Sequence, residues 1–145
     1  MEFANDVHAE AYDHVKQLLS ELYGEMFDVK QEFPRFTLRE GSTIANIVVL
    51  PWGDERAVVE VRAWVVMGAE LTPELMKYLL LQNNEVVLGS FGIDNESDIF
   101  FAHTILANDL DKSELRATVN AVKSTADHYD DEIKARWGGQ RMQDR

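Results

Sequence analysis

The chain has 145 residues and a mass of 16.6 kDa, the size of one ordinary domain built on a single core. Its 26 acidic residues against 14 basic ones leave a net charge of −12, which argues against general binding to nucleic acid or anionic membranes, since both need a basic surface. The absence of cysteine excludes disulfide frameworks, thiol catalysis and cysteine-ligated zinc or iron–sulfur centres.

The opening Met1-Glu2-Phe3-Ala4-Asn5-Asp6 is acidic and has neither the basic start nor the apolar run of a signal peptide. The densest apolar stretches, around 44–50 and 63–67, fall far short of the ~20 residues that cross a bilayer. A cytoplasmic protein without membrane association is the expectation. A first helix is predicted from Asn5 or Asp6, either able to cap, to the residue before Gly24. Val7, Ala11, Val15, Leu18 and Leu22 recur at helical spacing, Leu19 widens the stripe, and Glu10, Lys16, Gln17 and Glu21 fill the wet side.

Three strands are predicted next, over 36–39, 44–50 and 56–67, rich in β-branched and aromatic residues. Gly41-Ser42 and Trp52-Gly53-Asp54-Glu55 supply turn chemistry between them, so the segment reads as an antiparallel meander. In the third strand Val59, Val61, Ala63, Val65 and Met67 point to the core. Val58, Glu60, Arg62, Trp64 and Val66 point to an outer face more apolar than solvation requires. A second helix opens at Thr72-Pro73 and runs to about Asn84. Leu75, Met76, Tyr78, Leu79, Leu80 and Leu81 cover nearly its whole circumference, which predicts burial on more than one side, with a second subunit as one source of cover.

Two more strands, over 86–93 and 99–106, flank the polar turn Asp94-Asn95-Glu96-Ser97-Asp98. The last helix opens at Asp111, with Glu114 three residues on in the manner of a capping box. Leu115, Val119, Val122, Ala126, Tyr129 and Ile133 carry its stripe to near Trp137, and Gly138-Gly139 stops it. The order α-β-β-β-α-β-β-α predicts a predominantly antiparallel α+β fold with helices packed on the sheet. One domain over residues 1–145 is expected, with a flexible tail from about residue 138.

Candidate chemistry is sparse. Asp94, Glu96 and Asp98 alternate like the start of a calcium loop, but Ile99 and Ile105 stand where that loop needs glycine and a bidentate glutamate, so a hairpin turn is preferred. His128, Asp131 and Glu132 share a helical face without a recognised metal spacing. Pairs Glu132–Arg136 and Asp130–Lys134 on a solvated face read more simply, and no metal or cofactor is assigned. Neither a Gly-x-Ser-x-Gly nucleophile turn nor a phosphate-cradling glycine motif is present, and Gly92 is expected to permit a bend or bulge. His103 is a lone strand histidine, His14 neighbours the first helix's stripe, and no catalytic residue is assigned. What remains is surface apolarity. Trp52, Trp64 and Val66 form a candidate platform for a peptide segment, unless another layer of the chain or a second subunit covers them.

The C-terminal half resembles the YbjN-type (sensory transduction regulator-like) family, whose fold is that of type III secretion chaperones. The resemblance rests on Thr72-Pro73-Glu74-Leu75-Met76-Lys77-Tyr78-Leu79-Leu80-Leu81-Gln82-Asn83-Asn84, on Leu88-Gly89-Ser90-Phe91-Gly92-Ile93-Asp94, and on Ile99-Phe100-Phe101-Ala102-His103. It closes on Leu115, Val119, Val122, Ala126-Asp127-His128-Tyr129-Asp130 and Trp137-Gly138-Gly139. It implies a small acidic homodimer that binds a partner polypeptide without ATP or catalysis, as chaperone or regulator. Trp52, Trp64 and Val66 are then the expected peptide contacts, and Leu75, Tyr78 and Leu79 the expected dimer contacts. Two rivals are a ligand carrier or enzyme with a pocket near His103, and a purely structural homodimer.

Overall fold

Strands β1 (Phe27–Val29), β2 (Arg35–Glu40), β3 (Thr43–Trp52), β4 (Arg56–Val66), β5 (Ser90–Ile93) and β6 (Ile99–Leu106) form one antiparallel sheet in the order β1-β2-β3-β4-β6-β5. The computed structural model describes residues 1–40 and 43–144, for Gln143 the backbone alone; the turn expected at Gly41-Ser42 lies outside them. Helices α1 (Asp6–Tyr23) and α3 (Lys112–Trp137) cross one face of the sheet, and α2 (Pro73–Gln82) packs against β5 and the side of α3. The α+β class and element order follow the sequence reading, with β1 added at one edge.

Each helix begins at a side-chain cap. Asn5 accepts the His8 N–H at 2.9 Å, Thr72 accepts that of Leu75 at 3.1 Å, and Asp111 accepts that of Glu114 at 2.8 Å. The stripes then seat as their spacing requires. Ala11, Val15, Leu18 and Leu19 of α1 and Leu115, Val119, Val122, Ala126 and Ile133 of α3 close over Phe36, Leu38, Ile47, Val49, Val59, Val61, Ala63 and Phe101. Removing one such Leu or Ile side chain to alanine costs about 2–5 kcal/mol. Two polar ties hold α3 to the β2–β3 side: Thr43 donates to Asp127 at 2.9 Å, and Lys123 meets Glu40 at 2.7 Å.

Four expectations change. β1 is too short for a period-two pattern to show, yet Phe27 sets its ring edge on Phe36 with centroids 5.7 Å apart. The strand predicted over 86–93 starts only at Ser90, and Val86–Leu88 precede it as loop. Gly92 marks a close approach rather than a bend: a Cβ there would lie 2.5 Å from the Phe100 ring opposite it, and Arg62 covers that ring at 3.7 Å from its centroid. The bulge falls instead between Trp64 and Val66 of β4.

The fourth change is at the C-terminus. The tail expected to be flexible from about residue 138 returns to the sheet, where Met67 and Gln140 exchange two backbone hydrogen bonds of 2.7 and 2.9 Å. Gly139 permits this return, because its φ is +92° and a Cβ would stand 2.5 Å from Val66 Cγ1 and 2.6 Å from the Met67 carbonyl oxygen. Gly139→Ala should therefore cost about 2 kcal/mol or more through left-handed strain and overlap. The check is thermal unfolding, with a melting temperature lowered by roughly 4–8 °C; an unchanged value would mean that the tail's return adds nothing to stability.

Candidate functional site

Side chains alternate across a strand, so a sheet covered by helices on one side presents every second residue on the other. Three cross-strand rows of that open face lie side by side. One runs Arg35–Val48–Glu60–Thr104, the next Leu50–Val58–Leu106, and the last Trp52–Arg56. The middle row is aliphatic throughout and Trp52 borders it. Leu50, Leu106 and Trp52 are 40%, 49% and 62% exposed, high values for large apolar groups gathered on one surface. Together with Pro51 and Val58 they line a shallow recess of about 390 Å³.

Toward the other end of β4 the same face becomes polar. Arg62 donates to both oxygens of Glu60, at 2.8 and 3.3 Å, and its guanidinium stacks on Phe100. Trp64 is half-buried, and its indole N–H donates to Asp94 Oδ2 at 2.8 Å. The other oxygen of Asp94 accepts the N–H groups of Glu96 and Asp98 at 2.9 and 3.0 Å, which folds the Asp94–Asp98 segment as a closed Asx turn. The carboxylate alternation noticed in the sequence is thus hairpin-turn geometry.

The structure separates the residues expected to form one platform. Trp52 stands on the aliphatic part of the open face, and Trp64 lies at the polar end, tied to Asp94. Val66 is fully buried, because the bulge after Trp64 breaks the alternation and turns it toward Gly139 and the returning tail; it is withdrawn from the platform. Leu50 and Leu106 were missed, and Val58, read correctly as outward, was not joined to the platform. Their signal was the near-continuous apolarity of 47–52, where a one-faced strand should alternate, together with a leucine closing β6.

Two of the three expected dimer contacts are turned inward in the same way, and the third, Tyr78, is half-buried. Leu75 and Leu79 point into the chain's own core, and Tyr78 packs on Trp137 with ring centroids 5.1 Å apart. The apolar residues that α2 and the following loop leave outside are Leu80, 69% exposed, Leu81, Val87, 94% exposed, and Leu88.

The histidines are placed by packing. His8 is buried, its Nε2 donating to the Val49 carbonyl at 2.8 Å while Nδ1 accepts the Ala4 N–H, and His14 Nε2 meets the Leu110 carbonyl at 2.6 Å. His103 lies on the helix side of β6 opposite Val61; the open-face recess and those beneath Trp64 and beside α1 are lined by other residues. Among the described residues no three His, Asp or Glu side chains gather as a metal site. Glu132 pairs with Arg136 at 3.8 Å as the spacing suggested, whereas Lys134 reaches Asp144 at 3.7 Å instead of Asp130.

Asp94 links this geometry to pH. Partial burial pushes its carboxyl up, but the Trp64 indole, the backbone N–H groups of Asp98 and Glu96, and the Arg62 charge outweigh that and hold it below the usual carboxylate value. A carboxyl lowered in the folded state stabilises the fold above its unfolded value of ~3.9 and loses that contribution as pH falls through its folded value. Asp94→Asn should accordingly lower the melting temperature at pH 7, and the gap to the unsubstituted protein should close in strongly acidic buffer. A gap of constant size at every pH would exclude charge on Asp94 as its source.

Comparison with known proteins gives a consistent result. A family model described as "T3SS (YopN, CesT) and YbjN peptide-binding chaperone 1" matches residues 9–145. Among solved structures, the ExsC-ExsE complex superposes with a TM-score of 0.67 at 17% identity, covering 88% of this chain and 96% of that one. The HopA1-SchA chaperone-effector complex gives 0.63 at 10% identity, covering 84% and 97%. The Yersinia pestis type III secretion chaperone SycH, in complex with a stable fragment of YscM2, gives 0.55 at 14% identity, covering 81% and 98%. At these identities the likeness to solved structures is one of fold. No curated protein matches the chain.

Proposed function

We propose that this chain, which belongs to the family of type III secretion (YopN, CesT) and YbjN peptide-binding chaperones, holds a segment of a partner polypeptide against the aliphatic part of its open sheet face. The observation that carries this reading is the exposed row Leu50–Val58–Leu106 bordered by Trp52, which the chain's own helices leave uncovered. Burying an aliphatic side chain there would contribute about 1.5–3 kcal/mol, and two or three such contacts need backbone or polar contacts beside them to exceed the cost of association and of ordering the segment. HopA1-SchA is a chaperone-effector complex and SycH is in complex with a fragment of YscM2, which supports a polypeptide as the occupant.

In this reading the protein acts without catalysis and without ATP, as a cytoplasmic chaperone-like or regulatory protein. Its net charge of −12 helps keep a loaded complex dispersed. A homodimer forms through the outer side of α2 and the loop after it, where Leu80, Leu81 and Val87 await cover, rather than through Leu75 and Leu79.

Affinity capture from lysate with mass spectrometry tests the binding face. Partners held by the unsubstituted protein should be lost with Leu106→Asp and kept with Leu80→Asp, both variants being confirmed as folded by circular dichroism. The same partners with all three proteins would refute the open-face reading. Light scattering on the eluting peak of a sizing column tests the dimer. The unsubstituted protein should be dimeric at micromolar concentration, and Leu80→Asp combined with Leu81→Asp should be monomeric; a monomeric unsubstituted protein would remove the dimer from the reading.

A further inference from the structure

The open face differs in charge from the rest of the molecule. Its strand residues include four arginines, Arg35, Arg39, Arg56 and Arg62, but only two carboxylates, Asp28 and Glu60, in a chain of net charge −12. Both carboxylates are engaged, Asp28 by Arg39 at 3.4 Å and Glu60 by Arg62 at 2.8 Å. Arg35 has no ion-pair or hydrogen-bonded side-chain partner among the described residues, and its Nε is buried without an acceptor. The rest of the side chain is only half-buried, so the guanidinium charge, without a counter-charge in the free protein, gains from a carboxylate brought to its accessible nitrogens. Arg35 adjoins Val48, two residue pairs along the strands from the Leu50–Val58–Leu106 row and in the next row of the same face.

We propose that Arg35 is a specificity anchor of the open face, and that the polypeptide held there carries an aspartate or glutamate side chain beside the aliphatic residues that fill the row. The inference rests on the binding face proposed above and names the chemistry of its occupant. The planar fork of arginine suits a carboxylate, and the contact is selective through charge, because an apolar or amide-bearing segment leaves the guanidinium uncompensated. Arg56, at the end of the row beside Trp52, adds a second positive charge but neighbours Asp54 and Glu55 in the turn, so Arg35 is the discriminating group. A protein that is acidic overall would in this way still select an acidic segment, at one place on its surface.

The probe is a displayed library of short random peptides, selected on the intact protein. Binders are then made synthetically with amidated C-termini, so that only side-chain carboxylates remain. Peptides that Leu106→Asp abolishes should carry Asp or Glu at a recurrent distance from two or more aliphatic residues. Changing that acid to its amide should weaken binding to the unsubstituted protein roughly tenfold or more, and by less than about twofold in Arg35→Gln. Arg35→Lys, which keeps the charge and loses the fork, should fall between the two. Face-dependent peptides with no acidic preference, or an equal loss on both proteins, would overturn the anchor while leaving the binding face intact. Selected peptides indifferent to Leu106→Asp would overturn the face, and the anchor with it.

Discussion

One constraint governs this molecule: the helices lie to one side of a six-stranded sheet. β4 sits at its centre and shows the consequence in a single strand. Val59, Val61, Ala63 and Val65 are sealed beneath α1 and α3, while Val58, Glu60, Arg62 and Trp64 face away from those two helices. The covered side supplies the core that holds the fold. The uncovered side is then free to carry residues that a solvated sheet does not need, and it divides them by position. Its polar end is self-satisfied through Arg62–Glu60, Arg62 on Phe100 and Trp64–Asp94, while its aliphatic end is left open beside Trp52.

That division explains why two tryptophans similar in the sequence have different roles. Trp64 has its polar edge occupied and Arg62 near its ring, so it belongs to the scaffold that shapes the face. Among the described residues Trp52 has neither partner, and it stands at the rim of the aliphatic row. Electrostatics follows the same geometry. Acidic residues dominate the chain and favour dispersal in water, whereas the arginines collected on the open strands give that face a local character opposite to the whole.

Much of the fold was legible because its signals are local. The caps at Asn5, Thr72 and Asp111, the helical stripes and the alternation of β4 each depend on neighbours a few residues apart, and the order of elements followed from them. The losses came where long-range contacts decide. The three residues of β1 have too few positions to alternate, and the pairing of Gly139 with Met67 and Val66 joins segments about half a chain apart. Val66 read as outward because nothing in the sequence announces a bulge after Trp64, and Leu75 and Leu79 could not be told from Leu80 and Leu81 on a helix apolar all round. The family resemblance lay in turns, stripes and a helix stop, which are fold-defining letters, so it led to the fold and to the class of partner sooner than to the residues that would touch one.

The central claim is that the aliphatic end of the open sheet face is where a polypeptide is held. The measurement closest to it is methyl and indole NMR of the labelled protein titrated with a selected peptide. The account predicts saturable shifts at Leu50, Val58, Leu106 and the Trp52 indole, with the core methyls of Leu75 and Val119 unmoved. Shifts confined to Leu80, Leu81 and Val87, or to the β1 edge, with the open face silent, would contradict it.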